Sequence, residues 1–435
     1  MPREVLLVAA YDSQLKWAMG IAAEFDARGW RCSVVTPSDI RSSLSDEQVT
    51  AAGGADVQRV PWDDLLRRAR TVDCVVLAVQ GTLVARFTDE LELLRRAEPS
   101  HHEPVVVTGW VGIIIEKLVA GYLDRAGSDV IAVNSADNLR EFTAAGRHLG
   151  VPPDNLLLSG LPLLPATPAP PADGPIRTIV FADQPTVPGS RWDRAYVYHR
   201  LLDHARTHPG QQVLLKPRHR PGEGTFHVMH DHPETIVAKL GRTPANFAIT
   251  YDTIASLLPR TDLLLTVSST AGLEAIGAGV RTVFVSDLGV HEKHGNQVLV
   301  PSGLLATFDD VAAGRIPIAS PAWLADVFVG GGVSPVARIA DRVEELVGVP
   351  AAQRPGRRVA AGPYLSGRVA VRSARALMPE LARDPAAGGP PSATTRRALP
   401  VLLPLARRAD LALRAFLPAS WHRAARAGWY RLRVS

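Results

Sequence analysis

The sequence predicts an α/β protein built from two parallel-sheet domains that face each other across a cleft, followed by a basic C-terminal helical tail. Three observations carry that expectation. Short apolar runs of the buried-strand type alternate with helical patterns, and the alternation occurs twice along the chain. Between the two lies residues 162–175, where six of 14 residues are proline and neither a helix nor a central strand can form. From residue 351 the composition turns to Arg, Ala and Pro. The expected division is a first domain over 1–161, a linker over 162–175, a second domain over 176–350 and a tail over 351–435.

Taken in order, residues 5–10 read as a strand and 13–28 as a helix ended by Gly29. Residues 32–36, 74–79, 104–108 and 129–134 are further buried-type runs, with a helical pattern over 113–126 between the last two. No GxGxxG follows the first strand, so the NAD-type fingerprint is absent. Beyond the linker, 178–182 is a strand, 192–207 a helix and 212–216 a strand. Strands follow at 247–251, 262–267 and 281–286, and 272–277 opens a helix. Residues 335–347 form a helix that either closes the second domain or crosses back onto the first. Open α/β sheets bind ligands outside the carboxyl ends of their strands, which places the expected site in the cleft.

The chain has 435 residues, of which 46% are apolar and 21% charged, enough for sizeable cores and too much for wholesale disorder. Its two cysteines, Cys32 and Cys74, exclude a disulfide scaffold and fit a reducing, cytoplasmic setting. No run approaches the roughly 18 uninterrupted apolar residues of a spanning helix, and the opening run is too short for a signal segment. The net charge of +5 hides an asymmetry. Residues 351–435 carry 16 arginines, no lysine and three acids, a charge of +13 that leaves −8 for residues 1–350. This argues against a nucleic-acid-binding core and gives the tail its own electrostatic partner.

Two segments carry chemistry. In the first, a buried strand runs into Ser268, Ser269 and Thr270 and then into a helix beginning Ala271-Gly272-Leu273-Glu274. Hydroxyls and backbone N–H groups at a helix start suit a phosphate. Gly272 would let it approach the backbone, and Glu274 would accept from ribose hydroxyls. An ordinary Ser/Thr cap competes on equal terms. The second segment places Lys216, Arg218, His219 and Arg220 just past a strand end, with Pro217 and Pro221 fixing a turn. Four potential cations at a cleft rim suit a diphosphate or phosphodiester, and His219 suits a leaving phosphate. A solvated charged loop is the competing reading. His101, His102, His227, His230 and His232 lack a closed ligand spacing, so no metal site is expected. The stretch from His291 to Asn296 either contacts the nucleotide or is a surface loop.

The two-domain layout, the Lys216-Pro-Arg-His219 strand end and the Ser268-Ser-Thr-Ala-Gly-Leu-Glu274 helix start resemble the GT-B glycosyltransferases. More narrowly they are similar to the bacterial sialyltransferase, polysialyltransferase and Kdo-transferase group, with CDP-glycerol glycerophosphotransferases as cousins. The chain also resembles an actinobacterial glycosyltransferase family. One departure stands out: His219 is followed by Arg220 where the group's motif has proline. The resemblance implies two Rossmann-like domains and a CMP-activated sugar acid as donor, with no cofactor beyond that nucleotide sugar. It implies donor binding by Lys216, Arg218, His219, Ser268, Ser269, Thr270, Gly272 and Glu274. On the first domain, Asp12 follows the first strand and is the expected base for an acceptor hydroxyl, with helix capping as its competitor. Lys16 lies one turn on, and Gly109 and Trp110 are expected to line the acceptor side, Trp110 being equally a packing residue.

Three further readings remain open: a CDP-polyol-phosphate transferase, a sugar-nucleotide 2-epimerase and a non-catalytic nucleotide-binding protein. In the tail, residues 384–395 are low-complexity. Residues 396–433 interleave nine arginines with Trp421, Trp429 and several leucines, the pattern of an interfacial helix on an anionic membrane. The expected setting is cytoplasmic, peripheral to the membrane, with a glycan or lipid-linked acceptor. Docking on the catalytic body and a disordered tail are the alternatives.

Overall fold

A computed structural model describes residues 2–40, 49, 57–98, 102–115, 118–221, 231–329 and 331–377. The chain divides into two units, Met1–Gly367 and Arg368–Ser435, and both sheets lie in the first. The tail segments 384–395 and 396–433 lie outside the described residues. No described helix is long and apolar enough to cross a membrane.

The first sheet holds β1 (Glu4–Ala9), β2 (Arg31–Pro37), β3 (Val57–Val60), β4 (Cys74–Ala78), β5 (Val105–Gly109), β6 (Val130–Val133) and β7 (Leu156–Leu158). Their order is β3-β2-β1-β4-β5-β6-β7. All pairings are parallel, with Leu7 between Val34 and Val76 at the centre. The second sheet holds β8 (Thr178–Ala182), β9 (Gln212–Lys216), β10 (Phe247–Ile249), β11 (Leu263–Thr266), β12 (Arg281–Val285) and β13 (Leu305–Ala306). Its order is β10-β9-β8-β11-β12-β13, again all parallel, with Leu263 between Ile179 and Arg281. Parallel strands are covered on both faces, so they read as continuous apolar runs; every residue of β4 and β5 is buried. In each sheet the strand order reverses once, at β1/β4 and at β8/β11. A crevice opens at such a point because flanking connections leave to opposite faces.

Helix Asp12–Ala27 buries Leu15, Trp17, Ala18, Ile21, Ala22 and Phe25, a stripe of helical period that faces the first sheet. Helix Pro335–Val347 starts on a Ser334 cap with proline at its first position, and buries Ile339, Ala340, Val343 and Leu346. That stripe packs on helix Asp12–Ala27 and on β5 and β6, and Arg28 reaches across to Asp341 at 2.7 Å. Of the two expected alternatives, the helix crosses back. Residues 335–347, which fall within the expected second domain, therefore complete the first sheet's layer.

The structure refines two expectations. The helix expected over 113–126 is described over Leu118–Arg125, and residues 113–115 are not helical. Its first turn is lost because the backbone at 112–113 is tied elsewhere: Asn134 Nδ2 donates to Gly112 O at 2.9 Å, and Ile113 N donates to Thr270 Oγ1 at 3.3 Å. The proline-rich linker is no free spacer. Leu161 and Leu164 are buried, and Ala169 N and Ala172 N donate to Gly277 O and Gly279 O. Gly279 sits at φ +76°, and a Cβ there would lie 2.6 Å from Pro170 O, so only glycine lets the linker pass this close.

Candidate functional site

The carboxyl ends of β1, β8, β9 and β11 converge on a cleft of about 770 Å³ between the two sheets. Asp12, Lys16, Lys216, Arg218, His219, Ser268, Ser269, Thr270 and Glu274 all line it. The sheet ends bring together residues up to 262 positions apart because each follows a strand that ends at the same crevice.

On the second-sheet side, Lys216 is the last residue of β9. Burial, and next the Arg218 charge, pull its ammonium down to about 8. Its Nζ donates to Pro217 O at 2.8 Å. Arg218 reaches across the cleft to Asp12, Nη2 to Oδ2 2.5 Å, and both side chains are about a third exposed, 37% and 38%. A second pair also spans the cleft, Lys16 Nζ to Glu274 Oε2 at 2.6 Å. The expected base and the expected ribose acceptor are thus each held by a cation of the opposite wall. A phosphate that took over Arg218 would release the Asp12 carboxylate.

His219 is 8% exposed. Its Nδ1 lies 3.1 Å from Arg220 O, while Nε2 is buried with no hydrogen-bond partner among the described residues. The guanidinium of Arg220 lies 4.7 Å from the centroid of Tyr251, which also lines the cleft.

The serine cluster divides between two roles. Ser268 is buried, and its hydroxyl donates to His294 O at 2.6 Å while its N–H donates to Gln184 Oε1 at 2.9 Å. Its polar groups thus hold the 291–296 stretch and the turn after β8. Ser269 Oγ accepts from Ala271 N at 3.2 Å, the local capping reading. Thr270 Oγ1 receives Ile113 N from the first sheet. Gly272 does not line the cleft. A Cβ there would meet the Phe284 ring at 2.5 Å, so glycine is needed for packing on β12 and not for phosphate approach.

Gly109 and Trp110 are likewise corrected. Gly109 is wedged so closely that a Cβ would meet Ala132 and Trp17 at 3.0 Å. Trp110 stacks on Phe142 at 4.8 Å under the Arg125 guanidinium at 4.4 Å. Neither lines the cleft; after β5 it is Val111, Gly112, Ile113 and Ile115 that do. His102 bonds to Val72 O, away from the cleft; His101, His227 and His230 lie outside the described residues. Among the described residues no three His, Cys, Asp or Glu side chains form a metal-holding group.

Sequence reasoning missed Asp183, Gln184 and Tyr251. Asp183 is the residue after β8 and lines the cleft. Its carboxylate is paired with Arg194 at 3.0 Å and accepts from Tyr198 Oη at 3.0 Å. Burial pushes it up to about 6 against the Arg194 charge. The signal was present, since the reasoning that selected Asp12 after the first strand applies unchanged to Asp183 after the eighth.

A model of the family described as "Putative glycosyltransferase (DUF6716)" matches residues 5–346. No curated protein matches the sequence. Among solved structures the chain is similar to UDP-GlcNAc 2-epimerase from Neisseria meningitidis bound to UDP-GlcNAc. That likeness has 11% identity and a TM-score of 0.47, covering 79% of this chain and 100% of that one. It is similar to the S. aureus MnaA-UDP co-structure, with 12% identity, 87% and 97% coverage and a TM-score of 0.45. MurG of Acinetobacter baumannii gives 12% identity, 86% and 100% coverage and a TM-score of 0.41.

Proposed function

We propose, from the premise that the chain belongs to this family of putative glycosyltransferases, that it transfers a sugar acid from a CMP-activated donor to a hydroxyl acceptor with inversion. The observation that carries the reading is the convergence of Lys216, Arg218 and His219 on one wall of a cleft whose other wall presents Asp12. In this scheme the donor phosphate takes Arg218 away from Asp12. The acceptor oxygen attacks the anomeric carbon, and the bond from that carbon to the phosphate oxygen breaks. The nucleotide leaves with the bonding electrons, and the acceptor proton passes to Asp12. Fixed cations that meet charge as it develops on a leaving group are worth far more in a closed cleft than in water.

The test is a panel of CMP-, CDP- and UDP-linked donors with the released nucleotide measured. Release from the CMP-sugar, surviving EDTA, supports the proposal. Release from CDP-glycerol, or only from UDP-sugars, replaces the donor. Full loss on chelation with recovery in magnesium or manganese rejects the metal-independent step. The tail's arginine and tryptophan pattern supports a second proposal, that it carries the enzyme to anionic membranes. The full chain should float with anionic vesicles and lose that binding in high salt, and a chain ending at Pro350 should stay behind. A full chain that stays behind at low salt overturns it.

A further inference from the structure

The two ion pairs that cross the cleft run in opposite senses. On the first-sheet half, helix Asp12–Ala27 presents the acid Asp12 and, one turn on, the base Lys16. The second-sheet half answers with the base Arg218, just past β9, and the acid Glu274 on helix Ala271–Gly277. A shift of one wall by a helical turn would bring like charges together, so the pattern fits in one register only.

The backbone is shaped for the same approach. A Cβ on Gly112, in the first half, would lie 2.6 Å from Thr270 Oγ1 in the second. A Cβ on Gly295, in the second half, would lie 2.6 Å from Ile115 Cδ1 in the first. Each half thus seats a side chain of the other against a glycine. The bond from Ile113 N to Thr270 Oγ1, at 3.3 Å, joins the same two walls.

We propose that this contact is an autoinhibitory latch, in which Asp12 holds on Arg218 the place that a ligand phosphate takes, so that the latched walls and an anion on Arg218 exclude each other. That the anion belongs to a nucleotide rests on the transferase reading above; the latch itself does not. Both ion pairs are partly exposed, which makes each weak enough to open. Apparent anion affinity is reduced by the fraction of protein that is unlatched, so loosening the latch must tighten binding.

The test uses the full chain with inorganic pyrophosphate as the anion. Gly112→Ala puts a Cβ against Thr270 and changes no charge, so the electrostatics of an open cationic cleft gives it no gain. It should tighten calorimetric binding of pyrophosphate about 2–5-fold, and Asp12→Asn about 3–10-fold. Fluorophores on Thr82→Cys and Val290→Cys, exposed positions at the cleft ends of the two sheets, read the separation of the walls. Cys32 and Cys74 are spared because burial holds both thiols neutral. Both latch variants should lengthen the mean distance between the labels. An unchanged distance in either, pyrophosphate bound no more tightly by Gly112→Ala, or no pyrophosphate binding in any of the three proteins overturns the latch. Nucleotide release from a sugar donor is measured on the same samples. Release with an unchanged distance sinks the latch and spares the transferase reading; a lengthened distance with tighter pyrophosphate and no release from any donor does the reverse.

Discussion

Two carboxylate–arginine pairs sit at equivalent places in the two sheets and behave differently. Asp183 directly follows β8, and its pair with Arg194 is buried, 0% and 4% exposed. Asp12 stands three residues past β1, and its pair with Arg218 is open to solvent and bridges the two sheets. The same residue types after the same kind of strand thus give a brace in one half and a movable part in the other. Burial makes the difference. Arg194 also donates to Gln184 O and Pro185 O, and Gln184 in turn receives Ser268 N, so the buried pair holds the turn on which the cleft floor depends. Neither Asp12 nor Arg218 makes a further side-chain hydrogen bond among the described residues, so water can replace either partner and a phosphate can replace Asp12.

The largest expected effect breaks the buried pair. Asp183→Ala leaves Arg194 charged and unpaired in the core, a change that typically costs about 3–5 kcal/mol. The midpoint of urea unfolding should fall accordingly. A midpoint close to that of the wild type would show that the pair is no brace, and the contrast between the halves would fail. Arg218→Ala should do the opposite. The exposed pair is worth about 0–1 kcal/mol to stability, yet loss of a group that meets charge on the leaving phosphate lowers turnover by about 10–1,000-fold. Nucleotide release and a melting curve on one preparation check both halves of that statement. A variant that melts early and turns over normally would reverse the assignment.

Much of this was legible in the chain. Buried parallel strands are apolar throughout, so most of the strand runs show in the sequence, and the strand ends then locate Lys216, Arg218, Asp12 and the Ser268–Thr270 turn in one crevice. The edge strand β3 was not legible: it reads Val-Gln-Arg-Val, with Gln58 and Arg59 exposed, and lacks the apolar run that marks a central strand. Gly109, Trp110 and Gly272 were misplaced for a shared reason. Each follows or opens an element at the cleft end of a sheet, but whether a small or aromatic residue faces ligand or packing depends on partners far away in sequence, Trp17, Phe142 and Phe284. The structural bond of Ser268 to His294 O was hidden in the same way, because it joins two segments 26 residues apart.

Lys216 sharpens the comparison through pH. Its ammonium titrates at about 8 in the free protein, mainly because it is buried. Only the charged form attracts a phosphate, and a bound phosphate raises the value. Nucleotide affinity should therefore hold below pH 8 and fall above it, by up to about tenfold per unit until the bound-state value is passed. The sign for stability is opposite: the lysine is harder to charge folded than unfolded, so its penalty is present below about 8 and fades as pH rises toward 10.5. Lys216→Gln should flatten the affinity profile. An unchanged profile in that variant would assign the effect to another group.

The smallest effect concerns the second cross-cleft pair, Lys16–Glu274, 46% and 17% exposed. If exposure is what separates a movable pair from a brace, this one belongs with Asp12–Arg218 despite its short 2.6 Å contact. Both members carry side chains long enough to lose rotamer freedom when they meet, and solvent screens their attraction. A double-mutant cycle with Lys16→Met and Glu274→Gln should give a coupling of about 0.2–1 kcal/mol in unfolding free energy, smaller again at high salt. The two single variants should differ in their effect on nucleotide affinity, because Glu274 is freed in one and Lys16 in the other. A coupling near that expected for the buried pair would mean that contact distance, and not burial, sets the worth of these pairs. In that case Asp12–Arg218 would also be a brace, and Asp12 could not be released by a donor at modest cost.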